Sequence, residues 1–169
     1  EGKKMGMILT ATPSFRGRRI EAGLLSAGQD FNNETNPFSV GLGRFVDLNK
    51  DDFIGKEALL KADKKCRSWG IRVADGIAKK GRSVKLKNLS IGKITSSTWS
   101  PYQVCGVGII LLDKSDIGPG SVVEVECVDD KIRKAELCEL PMYDPKGEIV
   151  RGINKKIPIK AEPWPGIKN

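Results

Sequence analysis

At 169 residues, with 39% apolar and 30% charged side chains, the chain has the make-up of a globular protein holding one core, or one domain plus part of another. It contains no histidine, which removes His-based acid–base catalysis and every Ser-His or Cys-His nucleophile pair, and its longest apolar run, Val107 to Leu112, is too short to cross a bilayer. The net charge of +8 is uneven, because residues 61–93 hold 11 basic and two acidic side chains.

Residues 5–11, MGMILTA, are apolar and uncharged and predict a short buried strand. Thr12-Pro13-Ser14 then supplies a capping hydroxyl and a proline tolerated in a first turn, so a helix is expected over 14–27 with Gly28 as its stop. Ile20, Leu24 and Ala27 would form its buried stripe, and Arg19, Ala22, Gly23 and Ser26 a neighbouring face. A glycine inside a helix costs about 1 kcal/mol relative to alanine, so something should compensate at Gly23. Small residues beside one arginine leave a shallow groove, open either to a closely packed backbone or to a flat ligand with an acidic group.

The polar stretch from Gln29 to Phe38 reads as a turn, with Asn36-Pro37 forcing an extended exit, and Asp30, Asn32 and Asn33 are expected to satisfy turn amides. Residues 41–48 look strand-like, with Phe45 and Leu48 as anchors; their G-x-G lacks the third glycine of a dinucleotide fingerprint. A short amphipathic helix is expected from about 56 to 64, with Leu59 and Leu60 inward, and the ADKKCR segment is a plausible domain boundary. Beyond Cys66 the period changes to two. Strands are expected around Trp69–Val73, Val84–Leu86, Ser90–Ser97, Val104–Leu112, Ser121–Cys127 and Lys131–Leu140, separated by turn signals. Six short strands in this span suggest a small antiparallel barrel or sandwich. From Pro145 the chain is rich in Pro, Lys and Gly with little periodicity, and is expected to lie along a surface or fray.

Cys66, Cys105, Cys127 and Cys138 form no C-x-x-C pair and have no histidine to complete a zinc site. They read as reduced, small apolar residues, which points to a cytoplasmic location, and no segment has the pattern of a signal peptide. Residue 1 is Glu rather than Met, so a processed product or a fragment is expected. Asp47, Asp51 and Asp52 lack the spacing and glycine of a calcium loop, and no metal site is assigned.

Five blocks occur in order: RIEAGLLSAGQDF, NPFSVGLGRFVDL, DFIGKEAL, GKITSSTWSP and LPMYDP. Together, over Gly6 to Asp144, the chain resembles the C-terminal half of the folate-dependent aminomethyltransferase family. That family includes the T-protein of the glycine cleavage system, the folate domains of dimethylglycine and sarcosine dehydrogenases, and the tetrahydrofolate-dependent demethylase of dimethylsulfoniopropionate. The resemblance implies a fold class of α+β: the remnant of an α/β layer, a strand plus helices, followed by a small antiparallel six-stranded β-barrel. It divides the chain into the end of a second, folate-channel domain (1–64), the C-terminal barrel (65–144) and a basic tail (145–169).

The resemblance further implies a three-domain enzyme with tetrahydrofolate in a central channel. Carried over, Arg19 would contact the folate, on its carboxylate-bearing end, and Glu21 would shape the channel wall beside Gly23. Tyr143 could face the channel or cap the barrel, and Arg16 and Arg18 lie on other helix faces. Ser96, Ser97, Trp99 and Ser100 match a family loop and are expected in a surface turn. Ala27 stands where relatives often carry Tyr, and the tail is longer than in many of them. The family's catalytic Asp and most pterin contacts lie in its N-terminal half, so no catalytic residue is assigned to this chain. The expected partners are that N-terminal half and, for a true T-protein, a lipoyl carrier protein; no membrane is expected. A non-enzymatic basic barrel that binds RNA or a protein is the alternative from another class, and too few aromatics interleave the basic run to favour nucleic acid.

Overall fold

The protein is described here by a computed structural model, in which residues 1–7, 9 and 11–156 are placed. Period-two alternation beyond Cys66 produces six strands: β1 (Ser68–Val73), β2 (Ser83–Leu86), β3 (Leu89–Ser100), β4 (Cys105–Leu112), β5 (Val122–Glu126) and β6 (Ile132–Cys138). They close into an antiparallel barrel in the order β1-β4-β3-β2-β5-β6, with β6 pairing back onto β1 through Gly70↔Cys138. Closure leaves no free strand edge within the barrel.

Alternate residues point inward and fill the barrel with β-branched and aliphatic side chains: Ile71, Val73, Val84, Ile94, Ile110, Leu112, Val123, Val125 and Leu137 are each at most 1% exposed. β4 is buried along almost its whole length, because its outward residues are covered too. Val107 and Ile109 pack outside the barrel with Ile20, Cys105, Cys138 and Met142 in a second cluster. That second layer exists because helix α1 (Thr12–Glu21) lies across the outer faces of β3 and β4.

α1 has its proline in the first turn, as expected, but it is shorter than its sequence suggests. It ends at Glu21 instead of continuing to residue 27. Ala22 is the C-cap, and Gly23 follows at φ +67°. Gly23 N–H donates to Ile20 O at 3.1 Å and Leu24 N–H to Arg19 O at 2.8 Å, the paired bonds of a Schellman ending. The expected stripe of Ile20, Leu24 and Ala27 is therefore split. Ile20 is fully buried, whereas Leu24 and Ala27 are exposed and Leu25 packs inward instead.

Other expectations from the first 65 residues also change. In segment 5–11, Met5 ends a 3-10 turn (Gly2–Met5), and Met7 and Leu9 are exposed, so no buried strand forms among the described residues; Ile8 and Thr10 lie outside them. Residues 41–48 form turns around a 3-10 segment (Gly43–Phe45), with Phe45 exposed, because no strand lies alongside to pair with. Helix α2 (Lys56–Lys61) stops short of residue 64, and its Leu60 is exposed. Ser96, Ser97, Trp99 and Ser100 belong to β3, not to a turn: the 12-residue strand runs up to the Ser100 hairpin. Residues 145–156 form turns, and the remainder of the expected tail lies outside the described residues.

Candidate functional site

Arg19 reaches back across the chain reversal that follows α1. Its Nη1 donates to Leu24 O at 2.9 Å and to Asp30 Oδ2 at 2.8 Å, and its Nη2 donates to Ser96 Oγ at 2.7 Å. The Asp30 side chain is fully buried and that of Arg19 is 12% exposed. Asp30 also accepts from Ser26 N–H at 2.9 Å, Thr95 Oγ1 at 2.6 Å and Ser96 Oγ at 2.7 Å. Two consecutive side chains of β3 reach one carboxylate because the strand carries a bulge between Ile94 and Ser96, which leaves Thr95 unpaired with β4. Asp30 thus does more than satisfy turn amides: it is the buried counter-charge of Arg19. Asn32 does take the turn role, accepting from Glu34 N–H at 3.0 Å.

Glu21, the last helical residue, is 3% exposed. Its Oε1 accepts from Ser100 Oγ, which itself accepts from Gln103 N–H at 3.0 Å. Its backbone carbonyl accepts from Met142 N–H at 2.9 Å and Tyr143 N–H at 3.1 Å. From β1, Arg72 completes this second junction, donating through Nε to Gln103 Oε1 at 3.1 Å and through Nη2 to Met142 O at 2.7 Å. The end of α1, the β3–β4 hairpin and the segment after β6 are thereby held together.

Gly23 lies against that same segment. A Cβ there would stand 3.0 Å from Leu140 Cβ and 3.3 Å from Pro141 Cα. Of the two readings open for the small face, the close-packed backbone is the one Gly23 meets. Its position past the helix end also makes the left-handed backbone, which favours glycine, part of the reason for the residue.

Tyr143 is half-buried and stacks beside Tyr102 of the hairpin, ring centroids 6.4 Å apart and planes inclined by 26°. Arg18 lies over the Tyr102 ring, its guanidinium carbon 4.6 Å from the centroid, and donates from Nη2 to the Tyr102 hydroxyl at 3.0 Å. Among the described residues, no carboxylate pairs with Arg18. The structure therefore gathers three of the expected site residues, Glu21, Gly23 and Tyr143, at one junction, while Arg19 turns to the neighbouring Asp30 junction. Arg72, Tyr102 and Gln103 were not singled out from sequence, and Arg18 was expected only on another face of the helix from Arg19. The SPYQ stretch reads only as a turn, and nothing local shows that its Tyr and Gln meet residues from α1 and β1.

Tyr143 also borders an open cleft of about 460 Å³ shared with Lys146, Asn154 and Lys156. A second cleft, of about 530 Å³, lies between the 63–67 linker and the 113–116 turn and carries charges of both signs. Part of the basic run 61–93 is engaged in internal contacts. Lys79 pairs with Glu126 and Asp130, Arg82 with Glu126, and Arg72 is committed to the Glu21 junction. Arg67 donates to Asp113 O, and Lys64 donates to carbonyls of the 59–62 segment and lies over Phe38.

The four cysteines are free thiols. Burial pushes each of them up, Cys138 to about 11, even though the nearby Arg72 opposes that shift. They are therefore inert as nucleophiles near neutral pH. At the β5–β6 turn the Arg133 guanidinium holds Asp129 down to about 2. No helix among the described residues is long and apolar enough to cross a membrane.

The model of the glycine cleavage T-protein C-terminal barrel domain matches residues 67–144. An aminomethyltransferase of Aquifex aeolicus (strain VF5) is 34% identical over 96% of this chain and 43% of its own length. One of Prochlorococcus marinus is 38% identical, over 74% of this chain and 35% of its own. The crystal structure of the glycine cleavage system aminomethyltransferase T from Bartonella henselae superimposes with a TM-score of 0.68 at 22% identity, over 77% of this chain and 38% of that one, and shares the fold. The chain spans about two fifths of the length of the curated relatives it matches.

Proposed function

We propose a role for a chain that belongs to the glycine cleavage T-protein family as its C-terminal region: it completes a tetrahydrofolate-dependent one-carbon transferase of aminomethyltransferase type. The observation that carries this reading is the similarity to the Aquifex aeolicus enzyme across 96% of the chain, which takes in α1 and its reversal as well as the barrel. Trp69 alone interrupts the basic run as an aromatic side chain, which gives little support to the RNA-binding alternative.

Tetrahydrofolate, when bound, supplies the nitrogen that accepts the one-carbon unit. The residues present suit one end of such a molecule. The half-buried rings of Tyr102 and Tyr143 lie close to Arg18, which has no carboxylate partner among the described residues. Arg19 and Glu21 act on this wall from behind. Arg19 fixes the reversal after α1 through Asp30, and Glu21 fixes the segment carrying Tyr143. Gly23 permits the close approach of that segment. The catalytic carboxylate and the pterin contacts would come from the family's N-terminal half, the proposed partner. A lipoyl carrier protein is the proposed donor partner in a T-protein reaction.

The test is to join this chain to the N-terminal half of the Aquifex aeolicus relative and titrate tetrahydrofolate by calorimetry. Binding by the joined protein, and little by this chain alone, is the expected result. A folded joined protein that does not bind would overturn the reading.

A further inference from the structure

We infer that Arg72 is a positioning residue of the proposed enzyme: from the outer face of β1 it seats Met142, and so sets where the segment after β6 stands against the β3–β4 hairpin. This rests on the reading above, because the segment borders a ligand only in the joined protein. The seat is written into the strand. Ile71 and Val73 point into the barrel, which leaves Gly70 and Arg72 as neighbours on the outer face of β1. Gly70 leaves the space that Met142 fills, since a Cβ there would stand 2.9 Å from Met142 Cγ and Sδ. Arg72, the next outward position, reaches the Met142 carbonyl with Nη2 at 2.7 Å.

Met142 is thereby held by its side chain and by both of its backbone groups. The side chain is buried in the outer cluster with Ile20, the N–H donates to Glu21 O at 2.9 Å, and the carbonyl accepts from Arg72. The same guanidinium donates from Nε to Gln103 Oε1 at 3.1 Å, so one planar group spans from the segment after β6 to the hairpin. Its rigid fork fixes the angle between the two acceptors, which the single ammonium of a lysine on its flexible stem does not. Gln103 is braced in turn: its backbone N–H donates to Ser100 Oγ at 3.0 Å, and that hydroxyl donates to Glu21 Oε1.

Stability alone does not account for an arginine at this place. Arg72 is half-buried, forms no ion pair among the described residues, and donates to neutral acceptors. Taking a charge part-way out of water costs free energy that neutral acceptors offset poorly, and an apolar side chain would cover the same surface at less cost. What the arginine supplies is direction. Met142 is followed by Tyr143, whose ring stacks beside Tyr102 of the hairpin with centroids 6.4 Å apart, so a shift of the Met142 carbonyl passes directly to that pair.

In the chain itself, nuclear Overhauser contacts between the Tyr102 and Tyr143 rings should be lost in Arg72→Met and also in Arg72→Lys, which keeps the charge but not the fork. Joined to the N-terminal half of the Aquifex aeolicus relative, both variants should bind tetrahydrofolate about tenfold more weakly, with KM rising more than kcat falls, because a wall remote from the chemistry has moved. Val123→Ala, a cavity in the barrel interior away from this network, should lower the melting temperature and leave both readouts as in the parent. Rescue by Arg72→Lys, unchanged affinity in Arg72→Met, or an equal loss in Val123→Ala would overturn the inference, while binding by the parent keeps the proposed function. A folded parent that does not bind tetrahydrofolate overturns the proposed function and the inference with it.

Discussion

Arg19 shows how one side chain can carry a family motif and still act structurally. Its buried ion pair with Asp30 links the reversal after α1 to β3, and removing one partner of such a pair leaves an uncompensated buried charge. Arg19→Ala should therefore cost about 3–5 kcal/mol in denaturant unfolding of the chain, far more than the exposed Arg18→Ala. Similar stability for the two variants would mean that the Asp30 junction carries no weight. A second residue-scale expectation concerns pH. Burial raises Cys138 above its unfolded value of 9.0 to about 11, so the neutral thiol favours the fold. That contribution is whole below pH 9 and lost as pH rises toward 11, because the unfolded chain gives up this proton first. Thermal melts between pH 8.5 and 11 should fall less steeply for Cys138→Ala than for the parent; parallel curves would count against this. The importance of Arg19 was legible in its small-residue surroundings, but its partner was not. Asp30 lies 11 residues on and Ser96 lies 77, and the bulge that turns Thr95 and Ser96 to one side leaves no periodic trace in sequence.

Among elements, the strands were the most legible and the helix ends the least. Alternation placed all six strands, since each buries one face in a common interior. The hairpin end of β3 was read as a turn because serines and threonines fill it, yet those hydroxyls are satisfied within the fold by Asp30 and Glu21. α1 was read too long because Ala22, Leu24, Leu25, Ser26 and Ala27 are compatible with helix. A tertiary contact decides its end: the chain must reverse at Gly23 to pass beneath Leu140 and Pro141. Gly23→Leu tests this. A left-handed backbone costs a side-chain-bearing residue roughly 1–2 kcal/mol, and overpacking against the 140–141 segment adds about 1–3 kcal/mol. Gly28→Leu has the same backbone sign with open space around it, so only the first cost should apply. Equal destabilisation of the two variants would mean that the packing against Leu140 and Pro141 is loose.

For the whole molecule, charge counted along the sequence is offset only in part by pairing. Lys79 and Arg82, two of the eleven basic side chains in residues 61–93, meet Glu126 and Asp130, which lie outside that window and come close only when the barrel closes. What remains open is apolar surface outside the barrel, including Met5, Met7, Phe15, Phe45 and Ile54, in the part of the chain where the sequence leads one to expect a layer with further members. Under the proposed function, this apolar surface is where the family's N-terminal half would pack. The position of the barrel was readable from alternation; the partner surface was not, because exposure depends on what the rest of the assembly covers. The most direct measurement is one-carbon transfer to tetrahydrofolate from an aminomethyl-lipoyl donor, comparing this chain alone with the chain joined to the N-terminal half of the Aquifex aeolicus relative. The account predicts no turnover by the chain alone and measurable turnover by the joined protein; robust turnover by the chain alone would contradict it.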